Sequence, residues 1–340
     1  MSFWNIIIIA ALVSFSVSAL LGFVLIPLLK RIHFGQTILD IGPTWHKSKQ
    51  GTPIMGGFMF IIGSTLAFCL GYAQYKQYLL GSLSENSKNN LYRVLICMVF
   101  AVLCAAIGFA DDYIKAVKKR NLGLRAKQKM LLQFIISAGL LKTLYELGDK
   151  STVLNLMFFK IDLSWFYYPI MLIVIIFVTN AVNLTDGVDG LCGSVTVITM
   201  LALGTICNIY SMPEVTIYAT CIAGGCMGFL LWNLHPASVF MGDTGSMFLG
   251  GVFTAIALTT HNHLFLILVG IIYICEALSV VLQVISFKLT GKRIFKMSPI
   301  HHHFEMSKWS EYKIVIVFSL ISMLFGIMAV LLAFKDKNLS

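Results

Sequence analysis

Charged residues are scarce in this sequence: they make up 12% of its 340 residues, while 58% are hydrophobic. The mean hydropathy is +0.86. A soluble domain carries about 25% charged residues, so this scarcity excludes that class. The composition predicts a protein that crosses a membrane several times, folded as a single integral membrane domain over residues 1–340.

Paired cysteine motifs and a cleavable leader are also missing. The eight cysteines are scattered through apolar stretches without a CxxC pair, which predicts packing residues rather than disulfides or metal ligands. The first apolar run, 3–29, has no basic residue before it and no clear cleavage site. It is also too long for the core of a signal peptide, so we expect a retained membrane helix.

Long apolar runs are abundant, and they predict an all-α polytopic protein with about ten transmembrane helices. The predicted spans are 3–29, 53–72, 93–110, 128–147, 167–183, 190–210, 215–232, 243–260, 264–287 and 313–334. The ninth span carries Glu276 and Gln283 on one helical face, which we expect to point into the protein, and Gly270 favours a bend or break there. Weak alternation over 151–168 predicts a short hairpin or an interfacial element.

The net charge of +10 comes from basic residues that concentrate in alternate loops. Seventeen of the 25 lysines and arginines lie in or beside loops 30–52, 111–127, 184–189, 233–242 and 288–312. The positive-inside rule therefore predicts that these loops face the cytoplasm and that both termini lie outside. This distribution favours membrane orientation and anionic ligands over nucleic acid, so no nucleic-acid partner is expected.

Asp111 and Asp112 follow the apolar run 94–110. Adjacent carboxylates at the mouth of a membrane helix repel each other and resist dehydration, which predicts that they handle a cation or a proton. The alternative is an ordinary polar helix end. Lys115 is four residues after Asp111 and shares its face if the helix continues. The basic residues after it could instead anchor the loop to anionic lipids.

Loop 43–57 sets lysines beside glycines at a predicted helix start, a combination that suits a phosphate. The same lysines could serve only as a signal for orientation.

The third loop carries Asn180, Asn183, Asp186 and Asp189. Their oxygens suit a hard cation or the donors of a base or sugar. The alternative is a turn that caps the sixth helix. The terminal glutamate of a calcium loop is absent, which disfavours that class of site.

The last two polar loops also have two interpretations each. Asp243 opens a helix and could be a simple N-cap, while Phe240 could stack on a base or anchor the loop in lipid. The histidines at 301–303 could donate to phosphate, bind a metal or relay protons, or could form an exposed turn. Zinc is disfavoured because the loop has neither a cysteine partner nor an HExxH motif. Because all these polar loops fall on the predicted cytoplasmic side, they indicate chemistry on a phosphorylated substrate with a divalent cation.

The chain resembles the phospho-N-acetylmuramoyl-pentapeptide transferases, within the polyprenyl-phosphate N-acetylhexosamine-1-phosphate transferase superfamily. The runs that carry the resemblance are 49–57, 111–115 (Asp-Asp-Tyr-Ile-Lys), 180–187, 240–243 (Phe-Met-Gly-Asp) and 299–305 (Pro-Ile-His-His-His-Phe-Glu). The last run indicates the muramoyl branch. Trp45 and Ile54 depart from the family pattern, although neither removes a charged group.

The resemblance implies a reaction of UDP-N-acetylmuramoyl-pentapeptide with undecaprenyl phosphate that yields lipid I and UMP with Mg²⁺. It also implies a homodimer in the bacterial cell membrane, surrounded by membrane lipid, with its active site facing the cytoplasm. Uridine-containing inhibitors such as tunicamycin are expected to bind. Two alternatives remain: a polyprenyl-phosphate N-acetylglucosamine-1-phosphate transferase, and a lipid transporter with Glu276 and Gln283 lining its path.

By the same resemblance, the motif residues divide into three groups. The expected catalytic residues are Asp111, Asp112, Asp243 and His301. The expected substrate-binding residues are Lys49, Lys115, Lys127, Asn183, Asp186, Asp189, Phe240 and His302. The expected metal ligands are Asp243 and Asn180.

Overall fold

The computed structural model describes residues 2–32, 49, 51–79, 81, 84–118 and 123–339. Trp45, His46 and most of the first polar loop lie outside the described residues, as do Lys119 and Arg120. Helices account for most of the described chain. The helices are α1 (Phe3–Arg31), α2 (Phe58–Tyr78), α3 (Glu85–Val117), α4 (Ala126–Glu146), α5 (Tyr167–Thr185), α6 (Leu191–Ile209), α7 (Pro213–Asn233), α8 (Gly242–Thr259), α9 (His263–Val269), α10 (Ile271–Thr290), α11 (Ile300–Glu305) and α12 (Glu311–Leu339).

Eight helical segments of the described residues are long and apolar enough to cross a membrane. They comprise α1, α2, α3, α5 with the turn before it, α6, α7, α10 and α12. The fold is therefore that of a polytopic, helical membrane protein. Helices α4 and α8 occupy two more of the predicted spans, but they are not apolar enough to be counted with these eight.

The centre of the bundle is α8, which is rich in Gly, Ser and Thr and almost wholly buried. It packs against α3 on one side and α5 on the other. A helix enclosed by other helices does not need a lipid-facing apolar surface. Its small residues also allow close packing between backbones. This position accounts for the modest hydropathy of α8 and brings its N-terminus beside the C-termini of α3 and α5.

The predicted break in the ninth span is confirmed, since α9 ends at Val269 and α10 begins at Ile271. Glu276 and Gln283 are both buried, which confirms that their face of α10 points into the protein. Segment 151–168 includes a two-stranded antiparallel hairpin, β1 (Val153–Asn155) with β2 (Lys160–Asp162). All eight cysteines are free, as predicted.

Candidate active site

Three carboxylates meet where the end of α3 reaches the start of α8. Asp111, Asp112 and Asp243 each offer an oxygen within 4.8 Å of the others, and we call these three residues the acidic basin. Asp111 and Asp112 are 4% and 2% exposed. Such a concentration of negative charge away from water needs cations or hydrogen-bond donors to compensate it.

Two lysines provide part of that compensation. Lys115 Nζ lies 2.6 Å from Asp111 Oδ2 and 3.2 Å from Asp243 Oδ2. Lys129 Nζ, on the first turns of α4, lies 3.0 Å from the same Asp243 oxygen. The predicted pairing of Lys115 with Asp111 is confirmed, because α3 continues one and a half turns past Asp111 to Val117.

Backbone N–H groups and one hydroxyl donate hydrogen bonds to the other carboxylate oxygens. Asp112 accepts hydrogen bonds from the Thr244 backbone at 2.9 Å and the Thr244 hydroxyl at 2.7 Å. It also accepts one from the Asp243 backbone at 3.2 Å. Asp111 Oδ1 accepts one from the Leu124 backbone at 2.7 Å. The basin is thus built into the backbone of two helices and the loop before α4.

The end of α5 and the turn after it, residues 183–190, contact three polar groups; we call this segment the α5–α6 corner. Asn183 Nδ2 donates to Asp243 Oδ1 at 3.0 Å and so reaches the acidic basin. A methyl group on Gly187 would lie 2.2 Å from His301 Nε2. Asp189 binds Lys49, with 2.7 Å between Oδ1 and Nζ. The corner therefore connects the acidic basin, His301 and Lys49.

Lys49 belongs to an ion-pair network beside the basin. Its Nζ also lies 2.8 Å from Glu311 Oε2 at the start of α12, and His235 Nδ1 lies 3.0 Å from Asp189 Oδ2. Burial opposes the charge of Lys49, but hydrogen bonds and charges from Asp189 and Glu311 outweigh it and raise its pKa. Although Asp189, His235 and Glu311 could together hold a metal, the ammonium of Lys49 already compensates two of them.

Asp186 caps α5 within this corner. Burial raises its pKa well above the usual carboxyl value, and the charges of Asp243, Asp112 and Asp189 add to the shift. These charges come from both sides of the corner, so the electrostatic environment of Asp186 includes the basin and the ion-pair network. A bound cation would relieve this repulsion.

The histidine run forms the short helix α11. His301 is 1% exposed, and its Nδ1 lies 3.0 Å from Oε2 of the buried Glu276. His302 Nδ1 lies 2.5 Å from Glu305 Oε2, and the rings of His301 and His302 are 4.1 Å apart. The two histidines are therefore held by different carboxylates, and the His301 ring meets the α5–α6 corner at Gly187.

Phe240 is positioned by a backbone connection to the first polar loop. Its N–H donates to the Pro53 carbonyl at 2.9 Å, and its carbonyl accepts from Gly56 N–H at 2.8 Å. The ring is partly buried and packs against the core. This connection brings the Gly-rich run 51–57 and the start of α8 to the same end of the bundle.

Two predicted residues contact other groups. Asn180 exchanges hydrogen bonds with Gln133 at 3.0 and 3.1 Å, and Asn183 is the amide that meets Asp243. Lys127 is exposed, whereas Lys129 reaches the basin. Lys127 and Lys129 are separated by a helical rotation of about 200° and so lie on opposite faces. The roles of Asn180 as a metal ligand and of Lys127 in phosphate binding stay predictions.

Sequence reasoning did not assign Lys129, Glu311 or Glu276 a place in the site. The helical period could have distinguished Lys129 from Lys127 once the direction of α4 was known. Glu311 and Glu276 are brought in by long-range packing: Glu311 binds a lysine 262 residues earlier in the chain. No local pattern in the sequence indicates that contact.

The carboxylate set fits a hard divalent cation, because oxygen ligands are the ones that such ions prefer. Asp243 is the least enclosed of the three carboxylates, and its contacts are side chains of two lysines and Asn183. Lysine side chains are long and flexible, so they can move to a phosphate when a cation takes their place. The basin can therefore hold either a metal or an anionic group next to one.

Comparisons with known proteins agree with this chemistry. Residues 94–261 match the family model described as Glycosyl transferase family 4. The phospho-N-acetylmuramoyl-pentapeptide-transferase of Halalkalibacterium halodurans is 41% identical over 329 residues, or 96% of this chain and 98% of the relative. The protein of that name from Caldicellulosiruptor bescii is 42% identical over 322 residues, or 95% and 96%. The one from Heliobacterium modesticaldum is 44% identical over 328 residues, or 95% and 97%. Identity at this level over nearly the full length of both chains places this protein in the phospho-N-acetylmuramoyl-pentapeptide transferase family.

Proposed function

We propose that the acidic basin and the α5–α6 corner transfer phospho-N-acetylmuramoyl-pentapeptide from its UDP-linked precursor to undecaprenyl phosphate, giving lipid I and UMP. Family membership makes the chain a phosphoglycosyl transferase of peptidoglycan biosynthesis. The observation that carries the proposal is the convergence of Asp111, Asp112 and Asp243 with Lys115 and Lys129 at one end of the bundle. Paired carboxylates and ammonium groups are the means by which proteins handle phosphoryl groups and their cations.

The cofactor of this reaction is proposed to be Mg²⁺, with Asp243 and Asn180 as its ligands and Asp111 as a neighbouring carboxylate. When bound there, the ion would neutralise charge on the transferring phosphoryl group. Lys115 and Lys129 then become free to bind phosphate oxygens. Lys127, on the opposite face of α4, is proposed to bind phosphate from outside the basin. Support for this assignment is the spacing of the three carboxylates.

Asp111 is proposed to prepare the lipid phosphate for attack on the β-phosphate of the nucleotide. A phosphate monoester has a second pKa of about 6, so it is largely dianionic at neutral pH. Removing a proton therefore demands little from Asp111, and orienting the phosphate through Lys115 is the greater part of its task. Asp112 is committed to the start of α8 and supports the basin.

The nucleotide is proposed to lie along the α5–α6 corner. Phe240 would stack on the uracil, Asn183, Asp186 and Asp189 would border the nucleoside, and Lys49 would meet a phosphate or the base. His301 and His302 would donate to the pyrophosphate. The ion pairs of Lys49 and the short distance between the corner and His301 support a common binding region.

The membrane arrangement is also part of the proposal. We infer ten transmembrane helices in one domain, both termini outside, and the acidic basin at the cytoplasmic face of the bacterial cell membrane. The bias of basic residues towards that face supports this orientation. We further propose a homodimer and binding of uridine-containing inhibitors such as tunicamycin in the nucleoside region.

Release of UMP by purified protein tests this function. The assay supplies undecaprenyl phosphate and Mg²⁺, with UDP-N-acetylmuramoyl-pentapeptide in one arm and UDP-N-acetylglucosamine in the other. UMP release in the first arm alone is expected. Release in the second arm alone would indicate the N-acetylglucosamine-1-phosphate transferase, and lipid movement without UMP would indicate a transporter.

Stereochemistry at phosphorus distinguishes two routes. Direct attack by the lipid phosphate inverts the configuration once, and this is the route proposed here. A double displacement through a covalent aspartyl phosphate would give net retention. Chiral labelling of the β-phosphate therefore decides between them.

A further inference from the structure

Glu276, which no step above uses, forms a buried pair with His301. Glu276 lies on α10 and is 0% exposed, and His301 is 1% exposed. Glu276 Oε2 lies 3.0 Å from His301 Nδ1 and 3.4 Å from the His301 backbone N. An ionised carboxylate can only accept hydrogen bonds, so an ionised Glu276 in this contact requires Nδ1–H as the donor.

His301 is the hydrogen-bonding partner that compensates the buried carboxylate of Glu276. A carboxylate inside a membrane protein loses its hydration and needs a compensating partner. The second oxygen, Oε1, has no hydrogen-bond partner among the described residues. Ser279 donates to the backbone carbonyl of Glu276 rather than to its carboxylate.

The opposite edge of the His301 ring faces the α5–α6 corner. Its Nε2 is buried and has no hydrogen-bond partner among the described residues. A methyl group on Gly187 would lie 2.2 Å from this nitrogen, so only glycine permits the approach. The corner continues to Asn183, which binds Asp243 in the acidic basin. By holding Nδ1, Glu276 thus orients the His301 ring so that Nε2 faces the α5–α6 corner.

We propose that Glu276 is a positioning residue for the transfer: it holds the proton on His301 Nδ1 and aims Nε2 at the pyrophosphate of the nucleotide substrate. The inference rests on the proposed function, in which His301 serves the nucleotide. Both ring nitrogens of an imidazolium are donors, so a ring that donates to Glu276 through Nδ1 can also donate through Nε2 to a phosphate oxygen as charge develops there. A buried amide at position 276 would lack the negative charge of the carboxylate and could offer either its oxygen or its nitrogen to the ring.

Glu276→Gln tests the pairing with little change in volume. We expect kcat for UMP release to fall by about 10- to 100-fold, as is typical when the partner of a functional histidine is removed. KM for the nucleotide should change much less, because the donor acts most strongly on the developing charge. Ser279→Ala is the matched control on the same buried face, and it should keep kcat within about 2-fold of wild type.

A double mutant separates positioning from general damage to the fold. In a His301→Asn background, Glu276→Gln should lower kcat by less than about 2-fold, because the group through which it acts is gone. Gly187→Ala provides a second approach from the other edge of the ring, and its effect should also shrink in that background. An equal loss in both backgrounds, or a Glu276→Gln enzyme with wild-type kcat, would overturn the inference.

Nucleotide affinity distinguishes a failure of the proposed function from a failure of the Glu276 inference. It is measured by the thermal shift that UDP-N-acetylmuramoyl-pentapeptide causes in detergent. Wild-type protein that binds the nucleotide but releases no UMP contradicts the proposed function. The Glu276 inference is then judged on binding, where Glu276→Gln should weaken the shift only when His301 is present. Protein that neither binds nor reacts with the nucleotide overturns both.

Discussion

Asp112 caps the helix that carries Asp243 by accepting two hydrogen bonds from Thr244, at 2.9 Å from its backbone N and 2.7 Å from its hydroxyl. The first N–H groups of a helix have no partner inside the helix, and an N-cap side chain usually satisfies them. Here the cap comes from another helix, 132 residues away in the sequence from Thr244. Asp112 therefore determines where α8 begins and where Asp243 lies.

We expect Asp112→Ala to destabilise the protein as well as inactivate it. The substitution leaves the buried N–H of Thr244 without its acceptor, and an unsatisfied buried donor costs about 1–3 kcal/mol. Thr244→Val removes only the hydroxyl bond and should have a smaller effect. Thermal unfolding in detergent measures both; an Asp112→Ala protein that melts like wild type would contradict the capping role.

Asp243→Ala should abolish turnover and reduce the binding of Mg²⁺. A ligand that binds only the folded state raises its melting temperature, so Mg²⁺ should stabilise wild type more than the variant. This thermal shift does not depend on catalysis and is measured without substrate. Near-normal activity with unchanged dependence on Mg²⁺ would refute the assignment of Asp243 as a metal ligand.

Replacement of Lys129 should affect the metal and the reaction in opposite directions. Lys129→Met removes an ammonium that competes for Asp243, so half-maximal activity should require several-fold less Mg²⁺. Maximal activity should fall by about 10-fold or more, because a phosphate loses a positive neighbour. Lys127→Met is the comparison on the exposed face, and it should leave the Mg²⁺ requirement unchanged. A rise in the Mg²⁺ requirement of Lys129→Met would contradict the competition.

The sequence predicted a polytopic, helical membrane protein, because apolar runs of membrane length are local features. It also predicted the contact between Lys115 and Asp111, which requires only that α3 continues by one turn. Helix ends were less accurate: α3 extends from Glu85 to Val117, beyond the predicted 93–110 on both sides. Polar residues can continue a helix beyond the length that the hydrocarbon core requires, as the exposed Glu85 and Lys88 do at the start of α3.

The contacts between side chains were less predictable. Lys129 and Asn183 contact Asp243, while the neighbouring candidates Lys127 and Asn180 contact solvent and Gln133. A motif identifies a short run of candidates, but the rotation of each helix decides which of them faces the basin. That rotation depends on packing across the whole bundle, which a local pattern does not contain.

Phe240→Ala should weaken the binding of a uridine inhibitor by about 1–3 kcal/mol if the ring stacks on uracil. Phe240→Trp keeps a flat aromatic face and should retain most of the affinity. Binding measured by calorimetry in detergent gives both values. Unchanged affinity in Phe240→Ala would argue against stacking and favour an anchoring role for the ring.

We expect the ionisation of Asp186 to make the stability of the folded protein depend on pH. Because burial and nearby carboxylates raise its pKa in the folded state, its ionisation costs stability above that pKa, and the cost disappears as pH falls through it. Asp186→Asn should therefore raise the melting temperature relative to wild type at a pH of about 8, with a smaller difference at about 5. Melting curves without substrate or divalent cation measure this difference. A gain that is the same at every pH would contradict the electrostatic cause.

The ion pair between Lys49 and Glu311 has a consequence for the biogenesis of the enzyme. It joins the loop before α2 to the first residue of α12, so this ion pair cannot form in a nascent chain until the ribosome has released the start of α12. Chains that stop before α12 would therefore leave Lys49 without the carboxylate of Glu311.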